Sequence, residues 1–300
     1  MRIFSISSFL CLILLIAAGG CSSPEPPKQH KQKSQPSQVN SAPPKDQGKF
    51  YQYDDKGKLV AEGFIKDGQL HELRYTYDYS GNLETRAEYV NNKLNGIFQG
   101  FNSAGSLYIE QQFKDGKPNG PKREYSPDGA LLFEKNYKDG KLHGLTREYI
   151  SGVLHTEKTY RNDQLNGLVK EYYTNGNVFQ VKTYRNNVLH GSTWEYDQNR
   201  NLTLEHSYDN GELISTKEFY NNGALMRETM MDHGVEVWVR EYYDSGALMR
   251  EKILKDGRPV ELNEFYENSA IMYKKIYQNG VLVQQEQYDP QGNLLNSQNY

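Results

Sequence analysis

The chain has 300 residues, a formal charge of −3, 36% hydrophobic residues and a mean hydropathy of −0.84; it holds 24 Tyr, 11 Phe and only 2 Cys. So hydrophilic a composition cannot bury a large globular core, and one cysteine pair at most excludes a disulfide framework. The slightly acidic balance argues against a nucleic-acid partner, because phosphate binding needs a basic face.

Met1-Arg2 gives a short positive end, Ile3 to Ile16 is an apolar run broken by serines, and Ala17-Ala18-Gly19-Gly20 leads to Cys21. The run is too short for a comfortable membrane span and ends in a processing-like site, so residues 1–20 read as a signal peptide. The site resembles the lipobox of bacterial lipoproteins, although Ala18 stands where Leu is commoner. That resemblance implies that Cys21 is acylated and anchors the chain to a membrane. Cys11 leaves with the signal peptide, so the mature chain has no pair to oxidise. Ser22, rather than Asp, after the cysteine favours the outer membrane over the plasma membrane by the same resemblance. The expected localisation is the bacterial cell envelope.

Residues 21–48 are rich in Pro, Lys, Gln and Ser, with Pro24, Pro26, Pro27, Pro36, Pro43 and Pro44. Such a composition cannot offset chain entropy by burial, and it reads as a tether spanning roughly 30 Å as a random coil. From Lys49 onward 36 acidic residues face 30 basic ones.

Residues 49–300 are a repeat. Its cleanest copy runs from Leu131 through Glu134, Tyr137, Asp139-Gly140, Leu142-His143-Gly144 and Tyr149 to Gly152. Asp-Gly between two alternating segments predicts a β-hairpin, since its turn needs positive φ. The opening glycine recurs at Gly57, Gly81, Gly105, Gly129, Gly152, Gly176, Gly223, Gly246 and Gly292, with Arg200 and Ser269 completing the series at 23–24-residue steps. A first aromatic falls at Tyr89, Phe113, Tyr137, Tyr160, Tyr184, Tyr208, Tyr277 and Tyr300. A second is expected at Tyr53, Tyr77, Phe101, Tyr125, Tyr149, Tyr172, Tyr196, Tyr220, Tyr243, Tyr266 and Tyr288. On that alignment the length variation lies between the second aromatic and the next opening glycine. The fold class is therefore all-β: about ten hairpin repeats stacked into an elongated single-layer antiparallel sheet. It would have about twenty-one strands and be on the order of 100 Å long, with stability from aromatics lying across neighbouring strands and no second layer.

The pattern Tyr-x-x-Gly-x-Leu-His-Gly followed by Glu-Tyr resembles MORN repeats, and most closely the variant found in the bacterial YwqK antitoxin family. Phe113 to Tyr125, Tyr137 to Tyr149 and Tyr160 to Tyr172 fit best. The resemblance implies a sheet of stacked hairpins and a non-enzymatic role in binding, scaffolding or toxin neutralisation. A weaker resemblance, to YD repeats of secreted Rhs-type shells, rests on Tyr77-Asp78-Tyr79-Ser80-Gly81-Asn82-Leu83 and Tyr288-Asp289-Pro290-Gln291-Gly292-Asn293-Leu294. Arg200 and Ser269 at the opening glycine, with Trp238, Glu261 and Gln284 at the second one, make the last units the least regular.

Glu62, Glu110, Glu134, Glu157, Glu205, Glu228 and Glu251 recur three residues after the apolar start. Successive copies lie two strands apart, about 9–10 Å, too far to share a cation, so the expectation is pairing with cross-strand Lys and Arg. His71, His143 and His190 are farther apart still, and no nucleophile elbow, phosphate loop or paired-Cys motif occurs. Neither catalytic residues nor a cofactor or metal is expected. The expected function is a lipid-anchored, non-enzymatic protein-binding or scaffold module; an antitoxin or a cell-wall binder are the alternatives. The candidate partner-binding patch is Trp238, Tyr243, Met226, Met230, Met231 and Met249, where methionines gather beside a tryptophan.

Overall fold

The computed structural model describes residues 46–300, and all 23 of its strands belong to one antiparallel sheet without a helix. The expected signal peptide, Cys21 and most of the tether lie outside the described residues. The strands are β1 (Gln47–Tyr53), β2 (Leu59–Lys66), β3 (Gln69–Tyr77), β4 (Leu83–Val90), β5 (Lys93–Phe101), β6 (Leu107–Lys114), β7 (Lys117–Tyr125) and β8 (Leu131–Lys138). They continue as β9 (Lys141–Leu142), β10 (Gly144–Ile150), β11 (Val153–Arg161), β12 (Gln164–Tyr172), β13 (Val178–Arg185), β14 (Val188–Tyr196), β15 (Leu202–Asp209) and β16 (Glu212–Phe219). The last are β17 (Leu225–Asp232), β18 (Val235–Tyr242), β19 (Leu248–Lys255), β20 (Arg258–Phe265), β21 (Ile271–Gln278), β22 (Val281–Tyr288) and β23 (Leu294–Asn299). Each strand pairs with its neighbours in the chain, from β1 on β2 to β22 on β23. β9 and β10 are two pieces of one strand, parted at His143, and both lie against β8. β1 begins two residues before Lys49, where the repeats are expected to start.

Two kinds of turn alternate. Tip turns join the strand carrying the first aromatic to the returning strand, and both of their residues are left-handed. Asp139 and Gly140 have φ of 51° and 87°; Asn162 and Asp163 have 52° and 68°. Such two-residue turns match the right-handed twist of the strands, and Asn and Asp tolerate the conformation because their side chains bond locally. Linker turns join one unit to the next. At the first, Asp54 accepts the Gly57 N–H on its carbonyl at 3.0 Å, and its carboxylate accepts the N–H groups of Lys56 and Lys58. Arg200 and Ser269 take the same place as the opening glycines, with φ of 72° and 70°. The flanking ladder imposes the turn even without glycine, so these units keep their regular pairing.

The units differ at their bulges. From β2–β3 to β13–β14 the pairing slips by two residues, as where Lys158 pairs with Val169 but Tyr160 with Leu165. There Gly96, Gly120, Gly144, Gly167 and Gly191 all have positive φ. A Cβ on Gly96 would collide with the Glu88 side chain, which crosses over it. From β15–β16 onward the slip is a single residue: Met230 pairs with Trp238 and Met231 with Glu236. This corrects the aromatic register read from the sequence. The strand-end residues that pair with Leu225, Leu248 and Ile271 are Phe219, Tyr242 and Phe265, not Tyr220, Tyr243 and Tyr266. The missing residue in these units is therefore lost inside the hairpin, at the bulge. Only at Ile150–Val153 does the linker turn itself shorten, to Ser151-Gly152.

Burial is thin, as a single layer requires. The buried apolar residues are Ala61, Ile65, Ala87, Val169, Val181 and Val239, and no described side chain falls below 2% exposure. Ring-on-ring contacts are few, Phe98–Phe113 and Tyr173–Phe179 among them, so aromatic stacking holds less of the sheet together than the sequence suggests.

Gly96→Ala is expected to destabilise the domain by more than Gly105→Ala. The latter has φ of 81° but open space around it, so it should cost only the backbone strain of about 1–2 kcal/mol. Urea unfolding followed by circular dichroism ranks the two.

Candidate binding surface

The alternation of side chains puts the second aromatics and the recurring glutamates on one face, and the first aromatics on the other. Down the middle of the glutamate face runs a column that crosses every strand pair in register. Glu110 faces Arg123, Arg123 faces Glu134, Glu134 faces Arg147, and Arg147 faces Glu157. These groups are bonded as well as facing. Glu134 receives Arg123 Nη2 at 3.0 Å on one oxygen and Arg147 Nη1 at 3.0 Å on the other; Arg147 Nε reaches Glu157 at 2.8 Å. Farther on, Lys217 meets Glu228 at 3.8 Å and Arg240 meets Glu251 at 2.8 Å. Upstream, Gln99 carries the column by accepting from Arg86 at 3.1 Å and donating to Glu110 at 2.9 Å. Of the remaining glutamates, Glu62 accepts the Tyr77 hydroxyl at 2.6 Å and Glu205 the Ser192 hydroxyl at 3.1 Å. The glutamate row is thus paired with cross-strand cations and hydroxyls.

Pairing sets the protonation of these groups. The bond to Glu62, with burial, pushes Tyr77 up to about 12. Burial and the bond to Glu157 raise Tyr172 as well. Burial opposes the charge on Glu157, but hydrogen bonds from Arg147 and Tyr172 outweigh it and hold the carboxyl below its ordinary value. Hydrogen bonds to Glu134 and Glu157 raise Arg123 and Arg147.

The candidate patch is divided between places. Trp238 donates its indole N–H to Glu251 at 3.2 Å, and the Arg240 guanidinium lies over its ring, 4.1 Å from the centroid. It is half-buried and sits beside the column, two residues along the strand from Arg240. Met230 faces Trp238 across the strand pair and is 43% exposed. Met226 and Met249 share that face but lie four residues away along their strands, about 13 Å, towards the linker turns. Met231, next to Met230, points to the opposite face and pairs with Glu236. Tyr243 opens a linker turn, and its hydroxyl donates to the Phe265 carbonyl of the next unit at 2.9 Å. The structure therefore brings Trp238 and Met230 together and leaves the other candidates outside their contact.

Sequence reasoning missed the place where two successive members of the column, Val181 and Trp194, carry neither an acid nor a base. After Lys170 come Val181 and then Trp194, before Glu205 resumes the pattern. A cleft of about 380 Å³ opens there, lined by Lys170, Asn177, Val181, Tyr196 and Arg200 among others. The signal was present in the sequence as a missing member of the glutamate series at Val181.

The Leu-His-Gly element proves to be a joint between units. The N–H of Asp163, a tip residue, donates to the Leu142 carbonyl at 3.0 Å, and its carboxylate accepts the Leu142 N–H at 2.7 Å. His143 reaches the Asn162 side chain at 3.3 Å, and His190 accepts the Asn210 N–H at 3.3 Å. Among the described residues no group of three or more His, Cys, Asp or Glu is placed to hold a metal ion.

A family model described as MORN repeat variant matches residues 118–139 and 165–186. Both stretches contain part of a two-residue bulge and end at the first residue of a tip turn, and these two stretches are similar to MORN-variant repeats. No curated protein matches the chain. Among solved structures it is similar to TcdB2-TccC3-TEV, at 13% identity over 84% of this chain and 17% of that one, with a TM-score of 0.18. TcdB2-TccC3 matches at 11% identity over 84% and 19%, with a TM-score of 0.15. TcdB2-TccC3-Cdc42 matches at 12% identity over 84% and 19%, with a TM-score of 0.16.

Two outcomes follow from the column. Glu134→Ala strands two arginines and is expected to cost about 1–3 kcal/mol in urea unfolding. In alkali, an unfolded tyrosine deprotonates near pH 10, whereas folded Tyr77 does so only at about 12. The folded state holds the proton more tightly, so this contribution is complete below pH 10 and is lost as pH rises towards 12. Urea midpoints measured from pH 9 to 12 should fall, and Tyr77→Phe should flatten part of that fall.

Proposed function

We propose that the protein is a non-enzymatic binding or scaffold module, held at the bacterial envelope by acyl chains on Cys21 and reaching from the membrane on the tether of residues 21–48. The observation that carries this reading is the single-layer sheet itself. Both faces remain partly open to solvent, and their functional-looking groups are committed to one another in a repeated column, where chemistry would need a constellation present once. A repeated, partly exposed surface suits extended contact with another protein. Trp238 with Met230 is the chosen contact point, because an indole under a guanidinium beside an exposed methionine offers a rigid aromatic and an adaptable neighbour. The outer membrane is the favoured location, from Ser22 after the cysteine. The likeness to the YwqK antitoxin family supports a narrower form of the same reading, in which the partner is a single toxin bound tightly and one to one.

Trp238→Ala is expected to abolish capture of a partner from envelope extract while leaving the circular-dichroism spectrum unchanged, and Tyr137→Ala to leave capture intact. Normal capture by folded Trp238→Ala would move the contact elsewhere on the sheet. For the anchor, Cys21→Ala should release a folded protein into the soluble fraction; persistence with the membranes would refute acylation as the attachment.

A further inference from the structure

Along the glutamate face, Arg123, Arg147, Lys217 and Arg240 each have a carboxylate within 4 Å. Lys170 occupies the same column without an ion pair that close, its attraction to Glu157 acting over a longer distance. Its neighbour on one side is Glu157, but Arg147 Nε takes one oxygen of Glu157 at 2.8 Å and the Tyr172 hydroxyl takes the other at 2.7 Å. Its neighbour on the other side is Val181, which stands where the pattern supplies a glutamate and offers no acceptor.

A second cation reaches the same cleft independently. Arg200 holds the left-handed linker position, at φ 72°, that glycine or serine fills in the other units. A long side chain there carries backbone strain of about 1–2 kcal/mol. Its Nε is fixed by the Asn177 side-chain oxygen at 2.8 Å, which lays it along the cleft rim, and no carboxylate pairs with it. The floor between the two cations is apolar, from Val181 and the Tyr196 ring.

We propose that this cleft is a receptor for an acidic peptide segment of a partner protein, one carboxylate of which takes the place of the missing glutamate between Lys170 and Arg200. A space of about 380 Å³ admits a carboxylate side chain and part of an apolar neighbour. Glu157 and Glu205 flank the gap along the column, and acidic residues outnumber basic ones in the repeats. A polyanion such as nucleic acid would meet repulsion on both sides, whereas a single carboxylate beside an apolar residue meets two cations and an apolar floor. The site lies on β12–β14, away from Trp238 on β18, and goes beyond the reading given above. Its test does not depend on Trp238 or on the membrane anchor.

The probe is a capped peptide with two glutamates flanking a leucine, titrated into the full-length protein by calorimetry, with the glutamine counterpart as control. Saturable binding of the glutamate peptide alone, weakened by salt, is expected. Val181→Glu restores the column from within the chain and should weaken that binding tenfold or more while keeping the native circular-dichroism spectrum. Lys170→Gln should weaken it similarly, and decides the matter should Val181→Glu fail to fold. Equal binding of the two peptides, no saturation, or undiminished binding by folded Val181→Glu or by Lys170→Gln would each overturn the proposal.

Discussion

Everything in this sheet depends on the absence of a second layer. A strand in a sandwich satisfies its inner face against another sheet; here each side chain finds its partners only on the strands beside it. At strand spacing a long cation reaches the carboxylates of both neighbours, so acid and base in alternate strands make a continuous column. Glu134 holding Arg123 and Arg147 is the pattern in its simplest form. The carboxylates are more covered than the arginines, Glu134 at 17% exposure against 36% for Arg147. Long guanidinium stems shelter them, which makes such pairs worth more than free surface ion pairs.

The same constraint explains why the units are joined in two ways. In the N-terminal part the two-residue bulge exposes backbone groups at Leu142 and its equivalents, and the next tip turn fills them, as Asp163 does. Asn187 repeats this at Leu165. From β15 onward the bulge is shorter, and the join moves to the opposite edge. Tyr220, Tyr243 and Tyr266 donate their hydroxyls to Tyr242, Phe265 and Tyr288 carbonyls one unit ahead. Tyr173 already does so towards Tyr196. A repeat sheet is only as continuous as its joins, and shifting them between edges keeps neighbouring units coupled while the hairpins shorten.

A regular column also makes its own exceptions visible. Val181 and Trp194 replace charged members in neighbouring strands, and the cleft beside Val181 is bordered by Lys170 and Arg200, neither of which has an ion pair within 4 Å. Beside a row of paired charges, a cation without a close carboxylate is a place where another molecule can add a bond without breaking one.

Much of this was legible in the chain alone. The 23–24-residue period, the alternation within Leu131–Tyr137, the tip turns at Asp-Gly and Asn-Gly, and the pairing of the glutamate row all follow from local rules, since period and turn chemistry depend only on residues a few positions apart. The register across the bulge did not follow. Tyr220, Tyr243 and Tyr266 match the consensus as well as Phe219, Tyr242 and Phe265 do, and only the slip of one residue against the facing strand separates the two alignments. Nor did the company each side chain keeps. Trp238 and the methionines are close in sequence, yet alternation and strand length put Met231 on the other face and Met226 about 13 Å along the strand. Sequence determined that the chain would be stacked hairpins with paired charges; the tertiary structure decided which strand edge couples each unit and which cations the column leaves without a close acid, because the joins link residues about twenty positions apart and the column depends on the cross-strand register.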